Sequence, residues 1–162
     1  MVTNGIDLLP WLSVPTDAVL TAKTVRLAII GRVEPQKGHD ILLHALSTIM
    51  DIPWRLSIFG AGSMEPYLKR VYHLSSIMSR IHWCGLVHNL PDRLAGIAVV
   101  IAPSRYEGMS LAIMEAMAAG RVVIASRAAA EGLIRDRETG LVVPERDADA
   151  LADALRWLIA HP

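Results

Sequence analysis

The sequence predicts an α/β fold. Short apolar runs rich in Val and Ile alternate with longer segments of helical periodicity, and glycines mark the ends of several runs. This alternation is typical of βα units on a parallel sheet, because strands covered by helices on both faces are almost wholly apolar. The 162 residues are enough for one such domain and too few for two ordinary ones. We therefore expect a single doubly wound, Rossmann-like parallel sheet of about six strands.

Six apolar runs fit the strands of this sheet, and a helical segment follows each of them. The predicted strands span residues 25–31, 54–60, 81–85, 99–102, 122–125 and 141–143. The predicted helices span residues 38–50, 63–78, 90–95, 110–119 and 147–160, with a short additional helix near Glu131. The loops after parallel strands meet at one edge of the sheet, where folds of this kind bind ligands. These loops are therefore expected to carry the chemistry.

Composition excludes several kinds of protein. The 16 basic and 16 acidic residues cancel, so neither nucleic acid nor an anionic membrane is expected as the main partner. The longest apolar stretch, residues 94–102, is far shorter than the ~20 residues of a membrane helix, and the first residues lack a secretory pattern. A single cysteine, Cys84, cannot form an internal disulfide, and we expect it to be buried. These features predict a cytoplasmic protein.

Residues 102–120 place two carboxylates around the start of a helix. Glu107 lies in a glycine-containing turn after an apolar strand, whereas Glu115 lies among apolar helical neighbours, where an unpaired buried charge is costly. Ser110 is positioned to cap this helix, whose first N–H groups and positive dipole end can receive a phosphate. Carboxylates for hydroxyls and a helix end for phosphate describe one ligand, a nucleotide sugar.

Paired carboxylates also serve glycosidases as acid and nucleophile, with ~5 to 9.5 Å between the two groups. Here Glu107 precedes the helix and Glu115 lies more than one turn inside it. A rise of ~1.5 Å per residue then separates them by roughly 9 to 12 Å. This spacing favours two binding groups at different points along one ligand over a hydrolytic pair.

The first strand runs into a loop that carries two cations, Gly31-Arg32-Val-Glu-Pro-Gln-Lys37-Gly38. Arg offers a planar fork for phosphate oxygens and Lys a mobile point charge, so the pair can neutralise a departing diphosphate. A solvated basic loop is the ordinary alternative, since charged residues are usually exposed. The position of the loop at the ligand-binding edge favours the anion site.

The second and third strands also end in glycine-containing loops. Gly60 and Gly62 would let the backbone approach a ligand, although an ordinary turn fits equally well. Val87 follows the third strand and can offer backbone groups to a nucleobase, and His88 lies beside it or is simply exposed. The six histidines lack metal-ligand spacing with carboxylates or with the cysteine, so no protein-bound metal is expected.

Five separated loops together resemble those of the group 1, glycogen-synthase-like glycosyltransferases. The motifs are Gly-Arg-x-x-Pro-x-Lys-Gly, Gly-x-Gly, Gly-x-Val, Pro-Ser-x-x-Glu-Gly with a second Glu eight residues on, and Thr-Gly-Leu-Val-Val-Pro. They follow one another in the family's order from about residue 4 to the end of the chain. The resemblance implies the carboxyl-terminal, donor-binding half of the GT-B fold. Residues 1–22 would be an interdomain linker or a remnant of the amino-terminal half, and residues 23–162 the donor domain.

The resemblance also implies a role for each matching residue. Arg32 and Lys37 would neutralise the donor diphosphate, and Glu107 would approach the transferred sugar; these are the predicted catalytic groups. The predicted donor-binding residues are Gly31, Gly60, Gly62, Val87, Gly108, Met109, Ser110, Leu111 and Glu115, the last for the ribose hydroxyls. The implied reaction is hexosyl transfer from a nucleotide-diphosphate sugar with retention of configuration, without metal or cofactor. It depends on positioning and charge stabilisation more than on a protein nucleophile.

Two features depart from the family pattern. Residues 128–130 are Ala-Ala-Ala, where the family often has a Gly-Gly pair. The alanines either narrow the space in which the backbone can approach a ligand or shift the loop. The acceptor-binding amino-terminal half is absent from the sequence, so a GT-B domain of that kind is the expected partner. Any peripheral membrane association, at the inner face, would be made through that half. Trp11 and Leu12 are expected to be exposed on the interdomain face and to promote self-association.

Two further interpretations stay open. In one, the chain is a non-catalytic nucleotide-sugar-binding or assembly module that needs a separate acceptor-domain partner, because an isolated half turns over poorly. In the other, it is a sugar-nucleotide epimerase or phosphorylase on the same architecture, which rests on fold analogy alone. Neither a cofactor lysine nor a second lobe is visible, which disfavours the latter. Base, sugar and acceptor depend on loop details and on the missing half.

Overall fold

A computed structural model describes residues 5–15 and 23–161 of the chain. Its strands are β1 (Val25–Ile30), β2 (Trp54–Phe59), β3 (Ile81–Gly85), β4 (Val99–Ala102), β5 (Val122–Ser126) and β6 (Leu141–Val143). They form one parallel sheet in the order β3-β2-β1-β4-β5-β6. The chain winds outward from β1 to β3 and then returns to β4, so its direction reverses between β1 and β4. This is the doubly wound α/β fold that the sequence predicts.

Helices connect the strands on both faces of the sheet. They are α1 (His39–Ser47), α2 (Glu65–Tyr72), α3 (Leu90–Leu94), α4 (Leu111–Ala118), α5 (Arg127–Ala130) and α6 (Ala148–Ala160). The last helix begins as expected, because the Asp147 carboxylate caps it by accepting a hydrogen bond from the Ala150 N–H at 2.8 Å.

The predicted helix over 63–78 is wrong in its second half. α2 ends at Tyr72, and a separate 3₁₀ turn covers Ser76–Arg80. Ser75 between them is extended, and its hydroxyl accepts a hydrogen bond from the Ile77 N–H. A serine side chain that accepts a hydrogen bond from a nearby backbone N–H stabilises the start of a new helix and disfavours continuation of the preceding one. The first helix likewise ends at Ser47 rather than at residue 50.

The core forms one layer on each face of the sheet. Leu27, Ile29, Leu56 and Ile58 pack beneath α1 and α6 on one face, and each is almost fully buried. The other layer packs against α4 and includes the amino-terminal segment. Burying one Leu or Ile side chain contributes roughly 1.5–3 kcal/mol, so these two layers hold the strand ends in fixed positions at the site.

The amino-terminal segment differs from expectation. Trp11 is only 7% exposed and packs with Val14 in the second core layer, so the prediction that it lies on an exposed face is wrong. Leu12, the next residue along the chain, is 76% exposed. The predicted domain boundary after residue 22 adjoins residues 16–22, which lie outside the described residues.

β3 forms one edge of the sheet, and its neighbourhood corrects the expectation for Cys84. The thiol is partly exposed rather than buried, because α3 has only five residues and leaves this part of the sheet face open. Within the described ranges, no helix combines the length and apolarity needed to cross a membrane.

Candidate functional site

A cavity of about 710 Å³ opens at the carboxyl edge of the sheet, beside the point where the winding reverses. The loops after β1, β2 and β3, the side of α4 and the amino-terminal segment line it. Five of the predicted site residues are in the lining: Gly31, Arg32, Gly60, Val87 and Glu115. Open α/β sheets bind ligands at this position, because the loops diverge there and leave a crevice.

Glycines make the floor of the cavity possible. Gly31 and Gly60 have φ angles of 142° and 141°. A Cβ added to Gly60 would lie 1.9 Å from the Gly31 carbonyl oxygen, so any side chain would push the two loops apart. Gly62 serves a different contact, since its added Cβ would meet the Val33 carbonyl oxygen at 2.4 Å. Gly62 packs loop against loop and is not among the residues that line the cavity.

Lys37 and Glu107, predicted from separate loops, lie together as an ion pair. The Lys37 Nζ donates to Glu107 Oε1, and the Ser104 hydroxyl donates to the same oxygen at 2.9 Å. Their side chains are 19% and 8% exposed. Arg32, by contrast, is exposed at the cavity and forms no ion pair with any described residue. The pair brings a cation and a carboxylate to one point, while the Arg32 charge remains available.

A second ion pair joins the β4–α4 loop to the first turn of α1, directly after the loop that carries Lys37. Arg105 donates bidentately to Asp40 at 2.9 and 2.7 Å. Its backbone N–H donates to the Gln36 carbonyl at 2.8 Å, and the Gln36 side-chain amide donates to the Tyr106 carbonyl at 3.0 Å. Burial alone would raise the pKa of Asp40, but hydrogen bonding and the charge of Arg105 outweigh it and hold the pKa below its usual value. We call this set of contacts the loop clamp.

The sequence predictions missed the loop clamp. Arg105 lies at a variable position inside a recognised motif, and Asp40 lies in a helix 65 residues earlier. No periodicity or local spacing links residues so far apart, so the pairing becomes visible only once the loops are placed side by side.

The turn before α4 differs in one detail from expectation. Ser110 occupies the capping position, but its side chain makes no capping hydrogen bond and is 2% exposed. Instead its carbonyl accepts from the N–H groups of Ile113 and Met114 at 3.2 and 3.3 Å. Gly108, Met109 and Leu111 flank it at the start of the helix. None of these four lines the 710 Å³ cavity, and their predicted role stays a prediction.

Glu115 presents an unpartnered carboxylate to the cavity. It is half-buried, and no residue in the described part of the chain donates a hydrogen bond to it. Burial raises its pKa above the ordinary value. Because no group in the described part of the chain compensates the cost of burying this charge, the Glu115 carboxylate is free to accept hydrogen bonds from a ligand.

The alanine run forms a turn of helix beside the β4–α4 loop. The Ala128 N–H donates to Glu145 Oε1 at 2.7 Å, and the Ser126 hydroxyl accepts from the Ala129 N–H at 3.3 Å. The Ser126 hydroxyl also donates to the Ser104 carbonyl at 2.6 Å, which connects α5 to the loop that carries Glu107. The described residues contain no group of three His, Cys, Asp or Glu side chains close enough to hold a metal ion.

Comparison with known proteins decides the family. A model of the family described as "Glycosyl transferases group 1" matches residues 24–161, which is most of the chain. The chain belongs to the group 1 glycosyltransferases. The five loop motifs whose pattern resembles this family therefore occur in one of its members.

The relatives of this group 1 glycosyltransferase are longer proteins. It is 34% identical over 140 residues to the lipopolysaccharide core biosynthesis mannosyltransferase LpcC of Rhizobium leguminosarum bv. viciae, covering 82% of this chain and 40% of that protein. It is 32% identical over 167 residues to the phosphatidyl-myo-inositol mannosyltransferase of Mycobacterium leprae, covering 99% of this chain and 44% of that protein. The chain thus spans less than half the length of these relatives.

Solved structures show the same fold. The carboxyl-terminal domain of LpcC from Francisella tularensis superposes with a TM-score of 0.83 at 23% identity, covering 96% of this chain and 88% of that one. Anabaena HepE in complex with UDP and glucose superposes with a TM-score of 0.82 at 21% identity, covering 98% of this chain and 46% of that one. The group 1 glycosyltransferase therefore has the architecture of one half of a GT-B enzyme.

Proposed function

We propose that this chain is the donor-binding half of a retaining glycosyltransferase, which transfers a hexose from a nucleotide-diphosphate sugar to an acceptor held by an amino-terminal half. The observation that carries the proposal is the cavity at the carboxyl edge of the sheet. It combines an unpartnered carboxylate, Glu115, with an unpaired cation, Arg32, on a floor of glycine backbone. Family membership supports sugar transfer, and the cavity supplies complementary groups for both ends of a nucleotide.

The geometry suggests how the ligand would lie. The ribose hydroxyls would donate to Glu115, and the base would lie against the loop that carries Val87. The diphosphate would reach Arg32, Lys37 and the first N–H groups of α4, whose positive dipole end favours an anion. The transferred sugar would extend towards Glu107.

The Lys37–Glu107 ion pair fits a role in transfer. A lysine ammonium carries three donors, so Lys37 can hold Glu107 and a phosphate oxygen at the same time. This would keep Glu107 beside the sugar, where positive charge develops, while the Lys37 ammonium faces the negative charge that develops on the leaving diphosphate. Fixed charges placed before reaction stabilise the developing charge without reorganisation. Transfer would occur on one face of the sugar, with the leaving diphosphate assisting deprotonation of the acceptor.

Two cations and a helix terminus would balance the diphosphate, so we propose that no metal or other cofactor takes part. An acceptor-binding half is the proposed partner, since the relatives are more than twice as long as the matched region. Two of these relatives are named as mannosyltransferases that act in lipopolysaccharide core biosynthesis and on phosphatidyl-myo-inositol. By that analogy we propose a cytoplasmic enzyme that reaches a glycolipid acceptor at the inner membrane face through its other half.

Calorimetric titration tests the donor site. The chain is titrated with UDP, GDP and ADP and with their glucose, mannose and N-acetylglucosamine conjugates. We expect selective binding of one base, with an affinity at least about tenfold lower in Glu115→Ala, since a hydrogen bond to a charged group contributes ~1.5–3 kcal/mol. Glu138→Ala, which removes an exposed carboxylate elsewhere, is the matched control. A folded chain that binds none of these ligands contradicts the proposal.

A non-catalytic binding or assembly module is the second candidate. The exposed Leu8, Leu9 and Leu12 beside the cavity favour it, because an apolar rim of this kind suits a partner domain. Sugar transfer catalysed by the purified chain alone, detected by product analysis, rejects this alternative. Retention is tested separately by the anomeric configuration of the product once the acceptor half is supplied.

A further inference from the structure

A second concave region lies on the outer half of the sheet, on the face that α4 shares. Two adjoining cavities of about 670 and 340 Å³ lie there, and both are lined by Arg26, Ser57 and His82. The short α3 leaves this part of the sheet face open. We call the region the outer groove and define it by these three residues with Arg55, Cys84 and Arg93.

The outer groove is cationic although the chain has a net charge of zero. Its lining contains four arginines and two histidines and, within the described ranges, no Asp or Glu: Arg26, Arg55, Arg80, Arg93, His82 and His88. Arg80 is already used, because it donates to the carbonyls of Ile52 and Met50 at 2.7 and 3.1 Å. Arg26, Arg55 and Arg93 form no ion pair with a residue that the structure describes. Three guanidinium groups therefore share a concave surface without a counter-charge.

The strand register makes this arrangement costly. Arg26 on β1 is the direct partner of Arg55 on β2. Adjacent strands lie ~4.8 Å apart, and like charges directly opposite one another in a sheet are destabilising. The alternation Val-Arg-Leu and Trp-Arg-Leu places both side chains on the same face. Both arginines are exposed, so water screens part of this repulsion, and an anion between them would remove the remainder.

We propose that the outer groove binds a phosphate-bearing anion. A guanidinium fork matches phosphate oxygens bidentately, so Arg26 and Arg55 can share one phosphate group. Ser57 lines both cavities and can supply its hydroxyl as a neutral donor, and Arg93 adds a third guanidinium to the lining of the larger cavity. The same chemistry is offered by a soluble polyphosphate and by the headgroup of an anionic lipid, and the experiment separates these two sources.

This groove is separate from the candidate donor cavity. The loop after β3, with Leu86, Val87 and His88, forms a wall between the two and lines both. Arg32 and Lys37 do not line the outer groove. The proposal is therefore independent of the donor assignment, and substitutions on the two sides of the wall distinguish the two sites.

Cys84 provides a reporter inside the groove. It is the only cysteine of the chain, it lines the larger cavity, and its Sγ lies 3.4 Å from the His82 Nδ1. The thiol is partly exposed, so a neutral reagent such as N-ethylmaleimide can reach it. A ligand bound in the groove should lower the rate of that reaction.

The rate of alkylation is measured on the 162-residue chain with and without inorganic pyrophosphate, and with vesicles of phosphatidylglycerol or phosphatidylcholine. We expect pyrophosphate or phosphatidylglycerol, but not phosphatidylcholine, to protect the thiol. The concentration of ligand needed to protect the Cys84 thiol should rise at least about tenfold in Arg26→Gln/Arg55→Gln, because two charge-assisted contacts are lost. Arg70→Gln/Arg135→Gln, which removes two exposed charges from other surfaces, is the matched control. Thermal unfolding should show the groove variant to be at least as stable as the parent.

Protection by pyrophosphate identifies a soluble ligand, and protection by phosphatidylglycerol alone identifies a lipid headgroup. Arg32→Gln/Lys37→Gln must retain the protection. If protection is lost in Arg32→Gln/Lys37→Gln and kept in Arg26→Gln/Arg55→Gln, the anion occupies the donor cavity and the proposal is overturned. Absence of protection by every probe, or equal protection in the groove variant, also overturns it.

Discussion

Glu115 carries an electrostatic cost at the cavity. Its carboxylate is half-buried beside apolar helix neighbours, and within the described ranges it has no donor. A residue chosen for stability at this position would be neutral. The cost is offset only when a ligand donates hydrogen bonds to the carboxylate, so affinity and stability should respond in opposite directions to its removal.

We expect Glu115→Gln to be more stable than the parent chain at neutral pH. Because burial raises the folded-state pKa of Glu115, the folded chain binds the proton more tightly than the unfolded chain does. Stability contributed by this group is thus greatest when it is protonated and falls as the pH rises from the unfolded pKa through the folded one. The difference between variant and parent should shrink towards acidic pH. Urea unfolding of both chains from pH 7 to pH 4 measures it.

The opposite pH trend would mean that a cation partners Glu115 in solution. In the same preparations, nucleotide-sugar affinity should fall in the variant although stability rises. Loss of both together would indicate a structural role for the carboxylate instead.

At the scale of elements, the loop clamp makes the β1–α1 and β4–α4 loops one unit. Lys37 and Glu107 belong to different loops, and their distance depends on how these loops are held. The bidentate contact between Arg105 and Asp40 is stronger and more directional than a single exposed ion pair. It therefore helps to position two of the three predicted catalytic groups, Lys37 and Glu107, without lining the ligand cavity.

A double-mutant cycle over Asp40→Asn and Arg105→Gln should give a coupling energy of about 1–2 kcal/mol at neutral pH, within the range for contacting charged groups. The pKa of Asp40 is depressed, so this stability is present above the unfolded pKa and is lost as the pH falls through the folded one. Urea unfolding at pH 7 and pH 3 measures both quantities. The exposed pair Arg135–Glu138 is the control and should couple by less than ~1 kcal/mol.

Gly38 sets the distance between the same two loops. Its φ is +69°, and an added Cβ would lie 2.1 Å from the Pro103 carbonyl oxygen. Gly132 has a similar φ of +72°, but an added Cβ there meets no atom within 4 Å. Gly38→Ala should therefore cost more stability than Gly132→Ala, whose expected loss is ~1–2 kcal/mol for the left-handed backbone alone. Equal losses in chemical unfolding would show that the loops do not need this close approach.

The strands could be predicted from the sequence to within about one residue, because parallel strands buried on both faces leave uninterrupted apolar runs such as residues 99–102. Helix ends were harder to predict: Ser75 forms a local hydrogen bond that stops α2 early. Five residues that line the cavity were named from loop motifs at the strand ends, whereas Lys37 and Glu107 do not line it, and the roles of all of them stay predictions. The loop clamp and the burial of Trp11 could not be predicted, since each depends on contacts distant in sequence.

For the molecule as a whole, several exposed apolar residues adjoin the cavity. Leu9 and Leu12 flank Pro10 and Trp11, which line it, and Leu86 is part of the lining itself. Apolar side chains placed together around a binding cavity favour association with a further surface. A domain docked here would also close the cavity and exclude water from the transferred sugar.

We expect the 162-residue chain, taken by itself, to self-associate through these leucines. Sedimentation velocity should show a weight-average mass that rises with concentration. Leu9→Ser/Leu12→Ser should shift the equilibrium towards monomer, because burying each leucine contributes roughly 1.5–3 kcal/mol. Leu74→Ser, which removes a still more exposed leucine after α2, is the control and should leave association unchanged. A monomer at every concentration, or an equal shift in the control, would contradict an interdomain face at the cavity mouth, because the leucines there would then behave like any other exposed apolar side chain.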